Sequence, residues 1–336
     1  MADKKKRILS GMRPTGRIHI GNYEGALKNW VDLQEQFDSF HMVADWHALT
    51  NDPDAKHIHA DTLDMVIDWM AGGLDPEKCT MFIQSHVREH AELHLLLSMA
   101  TPLGWLERCP TFKELYRDDD ERRSLSYGML GYPVLQAADI IIYKANFVPV
   151  GEDQVPHLEI SREVARRFNK LYGKVFPEPQ AKLTRTPRIL GTDRRKMSKT
   201  IGNHIVMSDP PDDIRKKVLT MITDPQRPRK NDPGHPEECN VFTFHQLYNK
   251  RPDRIPEIES GCRAGAWPCF ECKKELGDVL VEWLQPFREK REALAADMDH
   301  VKDILRQGNE DARKAARETM HEVREKTTLG SLIPGD

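Results

Sequence analysis

The segment that decides the fold is the first strand-to-helix passage, which reads RILSGMRPTGRIHIGN at residues 7–22. A short apolar run precedes a turn rich in glycine, and a helical pattern carrying Leu27, Trp30 and Val31 follows. Further strand candidates and helical stretches alternate in the same way, at residues 40–45, 62–70, 79–85, 92–99 and 146–150. Because a parallel crossover is most simply made by a helix, we expect an α/β fold with a doubly wound parallel sheet.

The β signal fades after about residue 200, and a stretch rich in proline follows at residues 209–228. From residue 278 onward helical patterns resume and continue to the end of the chain. The 336 residues fit two domains of about 150 residues each. We therefore predict one domain over residues 1–200 and a smaller, mainly helical C-terminal domain over 201–336, whose last helix is free to pack back on the first domain.

Composition excludes several classes of protein. Charged residues make up 31% of the chain, and no apolar run approaches the roughly 18 residues of a membrane helix. The basic start, residues 4–7, is followed by only two apolar residues, which excludes a signal peptide and predicts a cytoplasmic location. The net charge of −3 gives no global basic field, so a nucleic-acid partner would have to meet local patches.

The glycine-rich turn is a candidate phosphate site. Gly11, Gly16 and Gly21 permit close approach of the backbone to a bulky anion, with room beside Gly21 for a flat base or ribose. His19 and Asn22 stand near a helix N-terminus, where ring N–H and amide donors meet phosphate oxygens. A turn with a surface histidine is the alternative, but a position directly after the first strand favours nucleotide binding.

A second candidate site is the basic stretch RRKMSKT at residues 194–200. Lys196 and Lys199, with hydroxyl residues beside them, suit a loop that closes over a triphosphate and meets the charge of departing pyrophosphate. A solvated basic surface loop is the alternative. The presence of both motifs in this order favours the catalytic interpretation.

Together the two motifs resemble the HIGH and KMSKS signatures of the class I aminoacyl-tRNA synthetases, and nearly the whole chain resembles the tryptophan-specific branch. Asn22 and Thr200 replace the last His and the last Ser of the two signatures. The resemblance implies a Rossmann-like catalytic domain, an anticodon-binding helical domain, a homodimer, and ATP and Mg²⁺ as cofactors. It implies L-tryptophan and tRNA(Trp) as partners, and it implies the catalytic residues His19, Asn22, Lys196 and Lys199.

The amino-acid site is predicted around Asp139, a carboxylate inside the apolar helical stretch GYPVLQAADIIIY at residues 131–143. A buried carboxylate needs a donor, which an arginine, a helix end or an indole N–H would supply. The resemblance implies that Asp139 accepts the indole proton, with Tyr132, His47 and Gln154 as further tryptophan contacts. A pocket of this kind rejects analogues that lack the N–H, so no editing domain is needed. Tyrosine is the alternative substrate, and a synthetase-like RNA-binding or iron–sulfur protein without catalysis is the alternative class.

The ATP site draws on three segments of the chain: the turn after the first strand, the stretch GEDQ at residues 151–154, and the basic loop with its preceding residues. The predicted ATP-binding residues are Arg13, Pro14, Thr15, Gly21, Asn22, Gly151, Glu152, Asp153, Ile189, Lys196, Met197, Ser198, Lys199 and Thr200.

Four of the six cysteines form the pattern C-x22-C-x6-C-x2-C, at Cys239, Cys262, Cys269 and Cys272. Four thiolates suit Zn²⁺ or an iron–sulfur cluster, and unrelated free thiols are the alternative. Zinc commonly uses two paired knuckles, and only the last two cysteines form one. Some bacterial members of the family carry a [4Fe–4S] cluster on cysteines of this spacing, so the resemblance implies [4Fe–4S], with Zn²⁺ as the alternative.

Overall fold

The computed structural model describes residues 5–50, 53–54, 56–109, 112, 126–151, 154–183, 189–227, 229 and 231–329. The chain packs as two compact units. Unit 1 comprises Met1–Gly16, Ala26–Arg185 and Asp297–Asp336, and unit 2 comprises Arg17–Gly25 and Thr186–Ala296. The units are thus not divided at residue 200: the basic loop and the segment 17–25 belong to unit 2, and the last helix belongs to unit 1.

Unit 1 is built on a parallel sheet with the strand order β3-β2-β1-β4-β5. The strands are β1 (Arg7–Met12), β2 (Asp38–Val43), β3 (Cys79–Ile83), β4 (Phe147–Val150) and β5 (Gln180–Leu183). Every pair is parallel, and the order of the strands reverses between β1 and β4. The predicted α/β class with a doubly wound sheet is therefore confirmed.

The first four strands lie within two residues of their predicted positions because their side chains are mostly buried and give an apolar signal. Strand β5 was not predicted from the sequence, because its residues are exposed apart from the partly buried Lys182. Its backbone pairs with β4 from Phe147 opposite Gln180 to Val150 opposite Leu183. Such an edge strand is specified by backbone pairing, which a hydrophobicity pattern does not record.

The α-helices of the described residues are α1 (Ile20–Asn22), α2 (Lys28–Leu33), α3 (Asp45–Leu49), α4 (Ile58–Ala71), α5 (Glu89–Ala100), α6 (Leu103–Leu106), α7 (Tyr127–Ile142), α8 (Val155–Tyr172), α9 (Pro211–Leu219), α10 (Asn240–Tyr248), α11 (Arg254–Arg263), α12 (Cys269–Ala296) and α13 (Met298–Thr327). A π-helical turn (Tyr23–Leu27) joins α1 to α2, and short 3₁₀ turns cover Gln84–His86 and Pro236–Glu238. The predicted helical stretches at 62–70 and 92–99 lie inside α4 and α5.

Helix α13 lies against the outer strand β3 of the unit 1 sheet. A Cβ atom at Gly308 would overlap the carbonyl oxygen of Met81, so only glycine permits this close approach. Mid-helix glycine costs roughly 1 kcal/mol relative to alanine, and here the packing supplies its reason. The helix covers an edge that would otherwise present unpaired backbone groups.

Unit 2 is mainly helical, as predicted for the region after residue 200. Its core contains Ile214 and Val218 of α9 together with Leu276, Leu280 and Leu284 of α12, all fully buried. The spacing of four residues within each helix places these side chains on one face. None of the described helices is both long and apolar enough to cross a membrane.

Candidate active site

In unit 1, three predicted site residues and Gln84, which was not predicted, follow the carboxyl ends of four neighbouring parallel strands. Arg13 follows β1, His47 lies in the helix after β2, Gln84 follows β3, and Gly151 follows β4. The reversal of strand order between β1 and β4 opens a crevice at this edge in doubly wound sheets. Arg13, His47 and Gly151 therefore lie at the edge of the sheet where such folds bind nucleotides.

Asp139 is buried on α7, and three side chains donate to its carboxylate. His47 Nε2 lies 2.7 Å from Oδ2 and His90 Nδ1 lies 2.6 Å from Oδ1. Gln84 Nε2 donates to both oxygens, at 2.8 and 2.9 Å. A carboxylate offers about four lone-pair sites, so these contacts fill its capacity as an acceptor. The donors are thus two histidines and an amide, and not the arginine or helix end that the sequence left open.

The cluster around Asp139 holds this group as an anion. Burial would raise the pKa of Asp139, but the hydrogen bonds from His47 and His90 outweigh burial and hold the pKa below its usual range. His90 Nε2 lies 2.7 Å from the hydroxyl of Tyr143, which burial keeps protonated by raising its pKa. The assignment in which His90 accepts from the Tyr143 hydroxyl at Nε2 and donates to Asp139 from Nδ1 satisfies both partners.

The other predicted tryptophan contacts also belong to unit 1. Tyr132 lies two helical turns before Asp139 on α7, and its hydroxyl is 3.4 Å from His157 Nδ1 and 3.5 Å from Cys109 Sγ. Gln154 is exposed at the start of α8, and its backbone N–H donates to the Gly151 carbonyl oxygen. Glu152 and Asp153 lie outside the described residues.

In unit 2, His19 and Asn22 form a reciprocal cap at the start of α1. The Asn22 N–H donates to His19 Nδ1 at 3.2 Å, and the His19 N–H donates to Asn22 Oδ1 at 3.2 Å. Since Nδ1 and Oδ1 are the acceptors, the His19 Nε2–H and the Asn22 amide N–H₂ are the remaining side-chain donors. A Cβ at Gly21 would lie 3.0 Å from His19 Nδ1 and 3.3 Å from Met197 Cβ. A side chain at position 21 would therefore press against His19 and Met197, and the predicted base or ribose beside Gly21 stays a prediction.

The two predicted motifs meet within unit 2. His19 is buried, and burial lowers its pKa to about 4, with the charges of Lys199, His204 and Lys196 adding to the effect. Lys196 is exposed, Lys199 is partly buried and Met197 is buried. The histidine is therefore an uncharged donor at neutral pH, beside two lysines that carry the positive charge.

Asn203, which the sequence analysis missed, holds the basic loop in its conformation. The side chain of this buried residue accepts from the Ser198 N–H at 2.7 Å. It donates to Asp193 Oδ1 at 2.6 Å and to the Lys196 carbonyl oxygen at 3.2 Å. A Cβ at Gly191 would lie 2.6 Å from the Asn203 backbone oxygen, so glycine is required there. The signal available in the sequence was the pair Gly202 and Asn203. In the structure, Gly202 adopts a positive φ of 76°.

The remaining predicted ATP-binding residues divide between the units. In unit 1, Arg13 and Thr15 are exposed, Pro14 is buried and Gly151 is half-buried. In unit 2, Ile189 is buried, Ser198 is half-buried and Thr200 is exposed.

The four predicted metal-ligating cysteines line one small cavity in unit 2, together with Arg227, Trp267 and apolar side chains. Arg227 Nη1 lies 3.6 Å from Cys269 Sγ and 4.0 Å from Cys262 Sγ, and donates to the Trp267 carbonyl oxygen at 3.0 Å. Among the described residues, no three Cys, His, Asp or Glu side chains are arranged to hold a metal ion. The structure thus gathers the cysteines without showing either predicted metal centre.

Comparison with known proteins gives consistent matches over nearly the whole chain. Residues 1–285 match the family model for class I tRNA synthetases (W and Y). A tryptophan–tRNA ligase of Thermotoga maritima is 47% identical over 96% of this chain and 99% of its own length. One from Aquifex aeolicus is 43% identical over 96% and 100%. A Campylobacter jejuni tryptophanyl-tRNA synthetase, crystallised with ADP and tryptophan, superposes with a TM-score of 0.86 at 34% identity, covering 96% of this chain and 99% of that one.

Proposed function

Since the chain belongs to the class I tRNA synthetases of the tryptophan and tyrosine family, we propose that it carries out the two steps of a tryptophan–tRNA ligase. In the first step the carboxylate of L-tryptophan attacks the α-phosphorus of ATP, and the bond to the departing pyrophosphate breaks. In the second step a hydroxyl of the terminal adenosine of tRNA(Trp) attacks the acyl carbon, and AMP leaves. The observation that supports the assignment most directly is the buried, uncharged His19 beside Lys196 and Lys199 within unit 2.

The phosphate chemistry is assigned to His19, Asn22, Lys196 and Lys199. His19 Nε2–H and the Asn22 amide donate to phosphate oxygens as negative charge develops, and the reciprocal cap fixes their orientation beforehand. The two lysines attract the departing pyrophosphate. Mg²⁺ arrives as its complex with ATP and neutralises part of the phosphate charge, since nucleotide enzymes bind this ion largely through substrate phosphates.

Selection of the amino acid is assigned to Asp139, which accepts the indole N–H. Its acceptor sites are filled, so the indole must take the place of one present donor. The side chain of His47 is 12% exposed and that of His90 is fully buried, which makes His47 the donor that yields. The phenolic O–H of tyrosine is also a hydrogen-bond donor, so the exchange assay decides between the two substrates.

The test is pyrophosphate exchange into ATP, measured with purified protein and either tryptophan or tyrosine. Exchange that requires tryptophan supports the proposal, and exchange driven only by tyrosine contradicts the substrate assignment. Complete inactivity of folded protein with both amino acids would favour a binding protein without catalysis. Lys199→Ala is expected to abolish exchange, whereas Lys250→Ala, in an exposed loop of the same unit, is the matched control.

For the cysteine cavity we propose a [4Fe–4S] cluster bound by Cys239, Cys262, Cys269 and Cys272. A single Zn²⁺ needs all four sulfurs within about 2.3 Å of one point, whereas a cluster spreads its ligands around a larger group. The four thiols line one cavity, and Arg227 contributes positive charge beside the sulfurs. The cluster would stabilise this part of unit 2.

Iron and zinc content, together with the visible absorption of protein purified without oxygen, test the assignment. About four irons per chain support it, and one zinc in a colourless protein contradicts it. Replacing Cys262 by serine should remove the iron, whereas Cys79→Ser, at a thiol of unit 1, should not.

We further propose that residues 201–296 bind the anticodon arm of tRNA(Trp), and that the protein works in the cytoplasm as a homodimer.

Support for the dimer comes from Leu95 and Met99, which are 55% and 74% exposed one turn apart on α5, and from Leu103, which is 57% exposed at the start of α6. An apolar patch of this kind is typical of an interface. Light scattering tests it: Met99→Glu should give monomers, and Glu318→Ala, on the exposed face of α13, should not.

A further inference from the structure

The C-terminal helix α13 forms hydrogen bonds with the segment that supplies two of the three donors to Asp139. Gln84 and His90 both belong to the connection between β3 and the first turn of α5. Asn309 Oδ1 accepts from the Ile83 N–H at 2.9 Å, and Asn309 Nδ2 lies 2.9 Å from His86 Nδ1. The turn that carries Gln84 is therefore held on both sides by one asparagine.

Further contacts with this segment lie along the same face of α13. Arg313 donates to the His86 carbonyl oxygen at 2.8 Å. Arg317 pairs with Glu89 at 2.9 Å, and Arg324 Nε donates to Glu92 at 2.8 Å. These α13 residues lie on one side of the helix because their spacing follows its turns. The helix thus contacts the β3–α5 connection immediately before and after Gln84 and along the turn that contains His90.

Asn309 has no simple substitute at this position. Strand β3 is the outer strand of the sheet, and the amide of Asn309 supplies the acceptor that another strand would give to Ile83. Asn309 is 7% exposed, so the loss of its side chain leaves the buried Ile83 N–H without a hydrogen-bond partner. A buried donor without a partner is expected to shift the end of β3, and Gln84 is the next residue.

We infer that Asn309 is a positioning residue for tryptophan selection, acting through Gln84 on the carboxylate of Asp139. The inference rests on the proposed role of Asp139 as acceptor of the indole N–H. It assigns to the last helix, far along the chain from both sequence motifs, a part in choosing the amino acid. Asn309 itself touches no substrate in this scheme.

The experiment compares pyrophosphate exchange with tryptophan and with an analogue in which sulfur replaces the indole nitrogen. The ratio of kcat/KM for the two compounds measures the N–H contact, and KM for ATP is measured alongside. For Asn309→Ala we expect the ratio to fall about tenfold through a higher KM for tryptophan, with KM for ATP unchanged. Glu310→Ala, at the next and exposed position, is the matched control and should keep the wild-type ratio.

Two further variants keep the test decisive if Asn309→Ala does not fold. Arg313→Ala should lower the ratio by a smaller factor, and Arg313→Lys, which retains a donor, should restore it. Where Asn309→Ala does fold, it should change the ratio no further in an Asp139→Asn background, because the acceptor through which it acts is already altered.

The outcomes separate the two levels of the proposal. If wild-type protein shows no exchange with tryptophan, the proposed function fails. If wild-type protein exchanges but treats both compounds alike, the role of Asp139 fails, and the inference with it. If wild-type protein discriminates and Asn309→Ala and Arg313→Ala keep its ratio while only the yield of active enzyme falls, Asn309 is merely structural and the inference is overturned.

Discussion

Replacing Asn203 by alanine is the sharpest perturbation of the basic loop, because one side chain joins both ends of it. The substitution removes the acceptor for the Ser198 N–H and the donor to the Lys196 carbonyl oxygen. It also removes the 2.6 Å bond to Asp193, which is the largest cause of the lowered pKa of about 2 at that carboxyl. The two lysines that meet pyrophosphate lie between and beside these anchor points.

The magnitude follows from the number and kind of the lost bonds. A neutral hydrogen bond contributes roughly 0.5–1.5 kcal/mol, so the loss of the bonds to the Ser198 N–H and the Lys196 carbonyl oxygen removes about 2 kcal/mol of local stabilisation, without counting the solvent-screened bond to Asp193. If the loop must hold this conformation during the reaction, kcat/KM for ATP should fall about 30-fold. Global stability should fall less, since loops open locally without unfolding the core.

The assay is pyrophosphate exchange at varied ATP and saturating tryptophan, with fluorescence titration of tryptophan as a separate measure of unit 1. Asn203→Ala should change the first measurement and not the second. Asn249→Ala is the matched control, since it also removes two side-chain hydrogen bonds in unit 2 but lies outside the loop. A value of kcat/KM for ATP within twofold of the wild-type value would refute the assigned role of Asn203.

Three other predictions concern stability and the cysteine cavity. His41 is fully buried and burial lowers its pKa to about 3, so its neutral form stabilises the fold above pH 6.5, and this is lost as the pH falls. Between pH 7 and pH 5, the free energy of unfolding measured with urea should fall by about 2 kcal/mol less for His41→Leu than for the wild-type protein. Gly308→Ala should cost about 2 kcal/mol through overlap with Met81, while Gly128→Ala, where the nearest atom is 3.5 Å away, should be neutral or stabilising. Gly234→Ala would place a Cβ 2.5 Å from Cys262 Sγ and should reduce iron bound per chain, and unchanged iron content would argue against a centre in this cavity.

Site residues that are recognisable by their type and their local position in the chain could be predicted from the sequence. The strands that carry the site are buried and apolar, and the lysines and His19 occur in motifs whose residues lie close together along the chain. Local spacing therefore predicted the end of β1 and the start of the helix directly after His19. The carboxylate of Asp139 was also visible, because an ionisable residue inside an apolar helix is unusual.

Residues that act through distant partners could not be found in this way. Gln84 and His90 meet Asp139 across 55 and 49 positions of the chain, and Asn309 meets Ile83 across 226. Glutamine and asparagine are common on protein surfaces, and their composition gives no sign that a buried amide holds a site. Only the pairing of strands and helices in space shows which amides are structural.

The filled carboxylate changes what specificity means at this site. An empty buried acceptor would penalise strongly any analogue without an N–H, because the acceptor would stay unpaired. Here His47 already donates to Asp139, so the protein without substrate carries no such cost. An analogue without the N–H either displaces His47 and leaves Asp139 short of one donor, or leaves the His47 bond intact and meets the His47 ring in the space that the indole would occupy. We therefore expect discrimination against a nitrogen-free analogue to rest as much on the space that His47 occupies as on the bond itself. This discrimination should then grow when a smaller side chain at position 47 removes the competing donor.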